Sequence, residues 1–263
     1  MATRLVKAGR RKVDIMTKRR PPRPVLNSKA NWDAFDSQAY HDHNYRTLRD
    51  DDQQIIVTVR DFFAGSGVVH GLGFDVGTGS NLYPAMSMLP FCDQIVLHEY
   101  GADNLAWLRD ELPSFDHNWD QFWSQYAENA VYAAVPDPRV ALATRATIEP
   151  ASIFNLRQRA WDMGTMFFVA CSISTDIEEF NRAVGCFVGA LKPGAPFAAA
   201  FMIDSQGYYV GDNWFPAVKV SVDAIRNSLA GRAQDVELHD IQTNEPLRPG
   251  YGGMCLATGR AVV

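Results

Sequence analysis

The chain runs to 263 residues but has only four cysteines, Cys92, Cys171, Cys186 and Cys255, and no CxxC pair among them. Each lies in an apolar stretch, which favours buried free thiols over disulfides or a zinc site. A reducing, cytoplasmic setting follows. No HExxH segment is present either, so no metal is expected. Long apolar runs are also missing. The longest, 163–170 and 196–203, fall well short of the ~20 residues a bilayer-spanning helix needs. The N-terminus lacks the apolar core of a secretory signal, because Lys and Arg recur through its first thirty positions. There is no repeat and no low-complexity tract. What remains is an ordinary globular composition, 47% hydrophobic and 21% charged, able to bury one sizeable core.

Charge is distributed unevenly. Ten of the 25 Lys and Arg residues but only one of the 30 acids, Asp14, fall within 1–29, so this arm carries +9 and the remainder −14. A basic arm suits nucleic acid or an anionic surface. The body offers no matching basic face, and Arg19-Arg20-Pro21-Pro22-Arg23-Pro24 suits a solvated tail or one lying on its own acidic body. The Asn/Asp-Pro-Pro-Tyr/Phe tetrapeptide of amino-methylating nucleic-acid enzymes is absent. Residues 1–30 are therefore read as an arm and 31–263 as one domain, with neither nucleic acid nor membrane as partner.

Periodicity orders the rest. Ile55, Val59, Phe62 and Phe63 keep helical spacing, and the small residues of 64–67 end that helix. Strands at 72–76, 94–98, 166–170 and 197–203 then alternate with helices at 81–89, 104–111, 177–191 and 222–229. The segment 112–160 holds an aromatic helix, a Pro-containing loop and a short strand near 140–144. Thr175-Asp176-Ile177-Glu178 reads as a capping box, and Lys192-Pro193-Gly194 as a stop. Two final strands, 235–242 and 254–263, lack an intervening helix. The pattern predicts an α/β, doubly wound, mostly parallel seven-stranded sheet with an antiparallel C-terminal edge hairpin.

Phe74-Asp75-Val76-Gly77-Thr78-Gly79-Ser80 sits where the first strand meets a helix. Glycines there admit a ligand close to the backbone and leave N–H groups at a helix start for carboxylate or phosphate. The next strand ends in Glu99, placed to accept hydrogen bonds from two ribose hydroxyls. A third glycine is absent, so another nucleoside cofactor is favoured over NAD, with a nicotinamide-dependent oxidoreductase as the alternative.

These features resemble the family of nicotinamide, phenylethanolamine and thioether methyltransferases. Phe35-Asp36-Ser37-Gln38-Ala39-Tyr40 followed by Tyr45 is similar to that family's N-terminal lid, here 31–51. Ser80-Asn81-Leu82-Tyr83 extends the glycine motif, and Glu99-Tyr100 with Asn104 resembles the ribose, adenine and amino-acid contacts. Leu191-Lys192-Pro193-Gly194 and Gly207-Tyr208-Tyr209-Val210-Gly211 match two further segments. The resemblance implies a Rossmann-like methyltransferase using S-adenosyl-L-methionine and releasing S-adenosyl-L-homocysteine. Its cofactor shell would be Tyr40, Tyr45, Gly77, Thr78, Gly79, Tyr83, Glu99, Tyr100 and Asn104, with Ala146 or Thr147 beside the adenine.

The substrate end departs from that family. Members taking amines place carboxylates after the strand 197–203 and after the strand before it, where this chain has Met202, Gln206 and Cys171. Asp204 lies two positions from one of them and is the candidate base, with Tyr40 as a second catalytic candidate. Tyr208, Tyr209 and Trp214 are candidate substrate walls. His41 and His43 near the lid read as a solvated helix-end pair rather than a base or metal pair. The expected reaction is in-line methyl transfer to a nitrogen of a small amine or heteroaromatic, by a monomer or homodimer. Transfer to a phenol oxygen or a thiol is the alternative.

Overall fold

A computed structural model describes residues 24–242, 247, 248 and 250–262. Its first half contains α1 (Ser37–Asn44), α2 (Asp50–Ala64), β1 (Gly71–Val76), α3 (Tyr83–Met86), β2 (Cys92–Glu99), α4 (Ala102–Ser114), α5 (Trp119–Ala127) and α6 (Ala130–Ala133). There follow α7 (Pro138–Arg145), β3 (Ala146–Pro150), β4 (Met163–Phe167), α8 (Ile177–Ala190), β5 (Pro196–Ile203), β6 (Tyr208–Val210), β7 (Asn213–Phe215), α9 (Val222–Leu229), β8 (Ala233–Ile241) and β9 (Gly253–Ala261).

Seven strands form one sheet in the order β3-β2-β1-β4-β5-β9-β8. The first five pair in parallel, and β9 runs antiparallel to both β5 and β8. This is the doubly wound, Rossmann-like sheet with an edge hairpin that the element order predicts. Phe74 and Gly73 show how both faces are covered, since successive strand residues point to opposite sides. Phe74 stacks on Trp161 at 5.0 Å and reaches Phe187 of α8 at 5.5 Å, while a side chain at Gly73 would meet Met88 and Cys92. The β5 sequence Pro-Phe-Ala-Ala-Ala-Phe-Met is buried throughout, as a central strand covered on both faces must be. Each large apolar side chain so buried is worth about 1.5–3 kcal/mol.

Most of the basic arm, 1–23, lies outside the described residues, and with it the expected solvated tail. Its end is docked. Val25 N–H donates to Thr175 Oγ1 at 2.8 Å, and Asn27 N–H donates to Glu179 at 2.7 Å. That use of Thr175 corrects the capping box: Asp176 caps α8, accepting the Glu178 N–H at 2.8 Å. The strand expected near 140–144 is instead α7. Asp137 accepts the Arg139 and Val140 N–H groups and Pro138 occupies the first turn, a start signal that outweighs the β-branched Val140 and Thr144. The helix expected at 81–89 shrinks to α3, with tight turns after it. The hairpin β6–β7 has no counterpart among the expected elements, because three-residue strands carry too few alternations to read.

Candidate functional site

In an open α/β sheet, ligands lie beyond the carboxyl ends of the strands where the strand order reverses. Here that point is between β1 and β4. A cleft of about 830 Å³, partly open to solvent, occupies it. Its floor is Val76, Gly77, Thr78 and Ser80 after β1, with Glu99 and Tyr100 after β2 and Phe167–Val169 after β4.

The glycine turn works differently from its sequence reading. Gly77 and Gly79 take φ of +65° and +58°, which an L side chain resists. Their N–H groups are not free: Gly77 and Thr78 donate to His98 O at 2.8 and 3.3 Å, and Gly79 donates to Glu99 Oε2 at 2.8 Å. The turn therefore positions Glu99 rather than offering an anion cradle. Tyr100 and Gly101 N–H groups bind its other oxygen at 2.6 and 2.7 Å. Burial pushes the Glu99 carboxyl above its ordinary value, against the pull of the Gly101, Gly79 and Tyr100 N–H groups. The Asn104 side chain pulls the same way, so the carboxyl is held firmly at the floor of the cleft that it lines.

Ser80 Oγ is buried in the cleft wall with no partner among the described residues. A buried hydroxyl without a partner fits a polar ligand group. With Glu99 for hydroxyls and aromatic walls for a ring, the residues present fit the expected cofactor. Tyr40, Tyr45, Gly77, Thr78, Glu99, Tyr100 and Asn104 all line the cleft.

Other expected residues are elsewhere. Gly79 lies in the turn behind Glu99. Tyr83 is fully buried, stacked on Phe122 at 5.6 Å, and donates its hydroxyl to Asp52 at 2.9 Å. Ala146 and Thr147 begin β3, at the strand end away from the cleft. Ala151, Ser152 and Ile153, just past the other end of β3, line the cleft instead.

Asp204 is also displaced from its expected role. It takes φ of +55°, sits 3.7 Å from Lys219 and lines neither the cleft nor the chamber beside it. Tyr208 is buried in both walls, but Tyr209 is 71% exposed, and Trp214 packs against Gly207, where a Cβ would come within 2.5 Å of its indole. His41 is buried between Trp107 and Trp119 at 5.2 and 5.5 Å, whereas His43 is exposed, so the two share no site.

The lid is held down over the cleft. Asp36 caps α1, and Ser37 Oγ donates to Asn104 Oδ1 at 2.6 Å. Trp32 stacks on Phe215 at 5.5 Å, and Phe35 joins Tyr208, Val210 and Phe215 in a small apolar cluster. The β6–β7 hairpin is thus the lid's seat. Ser37→Ala removes the bond to Asn104, a loss of about 1–3 kcal/mol when one partner stays buried. It should speed S-adenosylhomocysteine release about tenfold in stopped-flow measurements. An unchanged release rate would mean that another contact closes the lid.

Asp75 underlies the floor at 1% exposure. Its Oδ1 accepts from Thr165 Oγ1 at 2.7 Å, while Oδ2 has no partner among the described residues. Burial raises its carboxyl from 3.8 to about 7, opposed chiefly by the Thr165 hydrogen bond. A folded pKa raised in this way gives stability that is complete below 3.8 and is lost as pH climbs through about 7. Three units correspond to about 4 kcal/mol as an upper estimate. Asp75→Asn keeps the Thr165 bond and should raise Tm more at pH 8 than at pH 5. Equal shifts at both would place the ionised form in the native state throughout.

Two missed residues stand out beside the cleft. Asp51 and Asp52, in the first turn of α2, are 1% and 4% exposed and line a small adjoining chamber. Three acids at a helix start read from sequence as a solvated complement to the helix dipole. Only their burial distinguishes them.

Solved structures share this fold. A magnesium protoporphyrin IX methyltransferase from Synechocystis PCC 6803, with bound S-adenosylmethionine, matches with TM-score 0.56 and 11% identity over 86% of this chain and 92% of its own. An S-adenosylmethionine-dependent methyltransferase from Clostridium acetobutylicum ATCC 824 matches with TM-score 0.55 and 11% identity over 86% and 98%. A nicotinamide N-methyltransferase from Sus scrofa is 21% identical over 196 residues, 68% of this chain and 72% of its own. No helix among the described residues is long and apolar enough to cross a membrane. The pattern of the NNMT/PNMT/TEMT family matches residues 23–256, and the chain belongs to that family as an S-adenosylmethionine-dependent methyltransferase.

Proposed function

We propose that this enzyme transfers a methyl group to a nitrogen of a small molecule, an amine or a heteroaromatic. The observation that carries the reading is the pair of adjoining cavities. Tyr40, Tyr45, Phe168, Ser172 and Tyr208 line both the cofactor cleft and the chamber beside it, so a molecule in the chamber would meet the cofactor along a shared, largely aromatic lining. S-adenosylmethionine supplies an electrophilic methyl on a sulfonium when bound.

The chain's own residues would then bind and orient. Glu99 would take a ribose hydroxyl, and Ser80 and Asn104 the polar groups at the amino-acid end. Tyr100 and Ala151–Ile153 would enclose the adenine. Tyr40 and Tyr45, 6.1 Å apart and edge-to-face, would meet the sulfonium with their rings, each worth about 0.5–2 kcal/mol. Holding nucleophile, methyl and leaving sulfur in line with water excluded is worth roughly 7–11 kcal/mol in favourable cases. A neutral pyridine or amine nitrogen needs no base. The named pig relative supports nitrogen as the acceptor.

The test is incubation with methyl-deuterated S-adenosylmethionine and separate pools of amines, heteroaromatics, phenols and thiols, read by mass spectrometry. Label entering only the nitrogen pools supports the reading. Label confined to phenols or thiols overturns it.

A further inference from the structure

The chamber beside the cleft holds two charged groups whose hydrogen-bonding capacity is incompletely used. Asp52 Oδ1 accepts the Tyr83 hydroxyl at 2.9 Å, and Asp52 has no ion pair among the described residues. Its neighbour Asp51 differs, because Arg49 grips both Asp51 oxygens at 3.2 and 3.3 Å. Across the same lining, the Arg248 guanidinium lies 4.5 Å over the Tyr208 ring, with one weak bond to Ser205 Oγ at 3.4 Å. Its Nε is buried with no partner among the described residues. A buried carboxylate without a cation and a buried guanidinium N–H without an acceptor are each costly unless something completes them.

We infer that this chamber binds an amphoteric acceptor, its amine against Asp52 and its carboxylate or other anionic group against Arg248. The two poles come from opposite sides of the chamber's sequence, α2 and the turn before β9, and Met202, Met254, Leu247 and Phe168 supply apolar walls. The titratable and charged groups lining it are Arg49, Asp51, Asp52, Tyr40, Tyr45, Tyr208 and Arg248, and Arg49 pairs with Asp51. A purely cationic amine therefore gains from Asp52 while meeting Arg248 unpaired, and a zwitterion satisfies both. Burial, with the adjacent Asp51 charge, lifts Asp52 to about 7, as befits a carboxylate waiting for a cation. An arriving ammonium would pull it back down and hold Asp52 ionised as its ion-pair partner.

This inference rests on the nitrogen-transfer reading for its substrate class, but its test reads binding alone. The full chain, loaded with S-adenosylhomocysteine, is titrated calorimetrically with 4-(aminomethyl)benzoate, benzylamine, benzoate and benzyl alcohol. The zwitterion should bind about tenfold tighter than either singly charged probe, as one added charge-assisted contact predicts. Asp52→Asn retains an acceptor for Tyr83 and should turn the preference toward benzoate, while Arg248→Gln should turn it toward benzylamine. S-adenosylhomocysteine affinity should hold in both variants, which reports their folding. A uniform loss for all four probes, binding of benzyl alcohol as tight as that of the zwitterion, or no probe binding to the loaded protein overturns the inference. Retained charge selectivity with label found only on phenols or thiols would instead sink nitrogen transfer and leave the amphoteric chamber standing.

Discussion

Glu99→Ala is expected to weaken S-adenosylhomocysteine binding about a hundredfold, or roughly 3 kcal/mol, the scale of lost hydrogen bonds to a charged acceptor. The residue is 6% exposed and its carboxylate accepts N–H groups from Gly79, Tyr100 and Gly101. Removing it would cost a bound ribose its proposed hydroxyl partner and strip three backbone donors of their acceptor. The glycine turn then loses what fixes it. Glu99→Gln preserves shape but turns an amide NH₂ toward at least one of those N–H groups, so an intermediate loss of about tenfold is expected. Calorimetry separates these outcomes. Wild-type affinity in the Ala variant would show that the ribose lies elsewhere.

Gly77→Ala should be nearly as damaging, through the fold as well as the cleft. Its φ of +65° costs an L residue about 1–2 kcal/mol, and the new Cβ would stand 2.7 and 2.8 Å from the Val169 Cγ atoms. Val169 lines the cleft, so relief of the clash moves the cofactor wall. With overpacking adding a further 1–3 kcal/mol, a Tm loss of roughly 5–12 °C is expected. Val169→Ala in the same chain removes the clash and leaves the dihedral strain. Partial recovery, about half, is therefore the expected result. Complete recovery would mean that the turn tolerates a side chain, and no initial loss would mean that Val169 gives way without cost.

The division between what the sequence disclosed and what it hid follows physical lines. Strand β5 was legible because it is a continuous apolar run opened by Pro196, β1 and β2 because short apolar stretches around Phe74 and Ile95–Leu97 precede the glycine turn and Glu99, and α9 because it is an amphipathic turn capped by Ser221. Glu99 was legible because it closes a strand about twenty residues after a glycine turn. What stayed hidden depends on partners far along the chain. Thr175 accepts from Val25, 150 residues away, while Asp176 caps α8. Tyr83 matches a cofactor-shell position by motif, yet a hydroxyl bond to Asp52 draws it beneath the wall. Asp204 falls near the right strand end, but a positive φ and Lys219 turn it outward. Asp52 escapes a sequence reading because an acid in a first helical turn is usually a surface feature, and only the lid and the turn before β9 enclose it.

The most direct test is a crystal structure of the full chain with S-adenosylhomocysteine. The ribose should lie at Glu99 and the sulfur at the Tyr40–Tyr45 wall, facing the chamber that holds Asp52. A ligand bound with its sulfur turned away from that chamber, or outside the cleft between β1 and β4, would contradict the account.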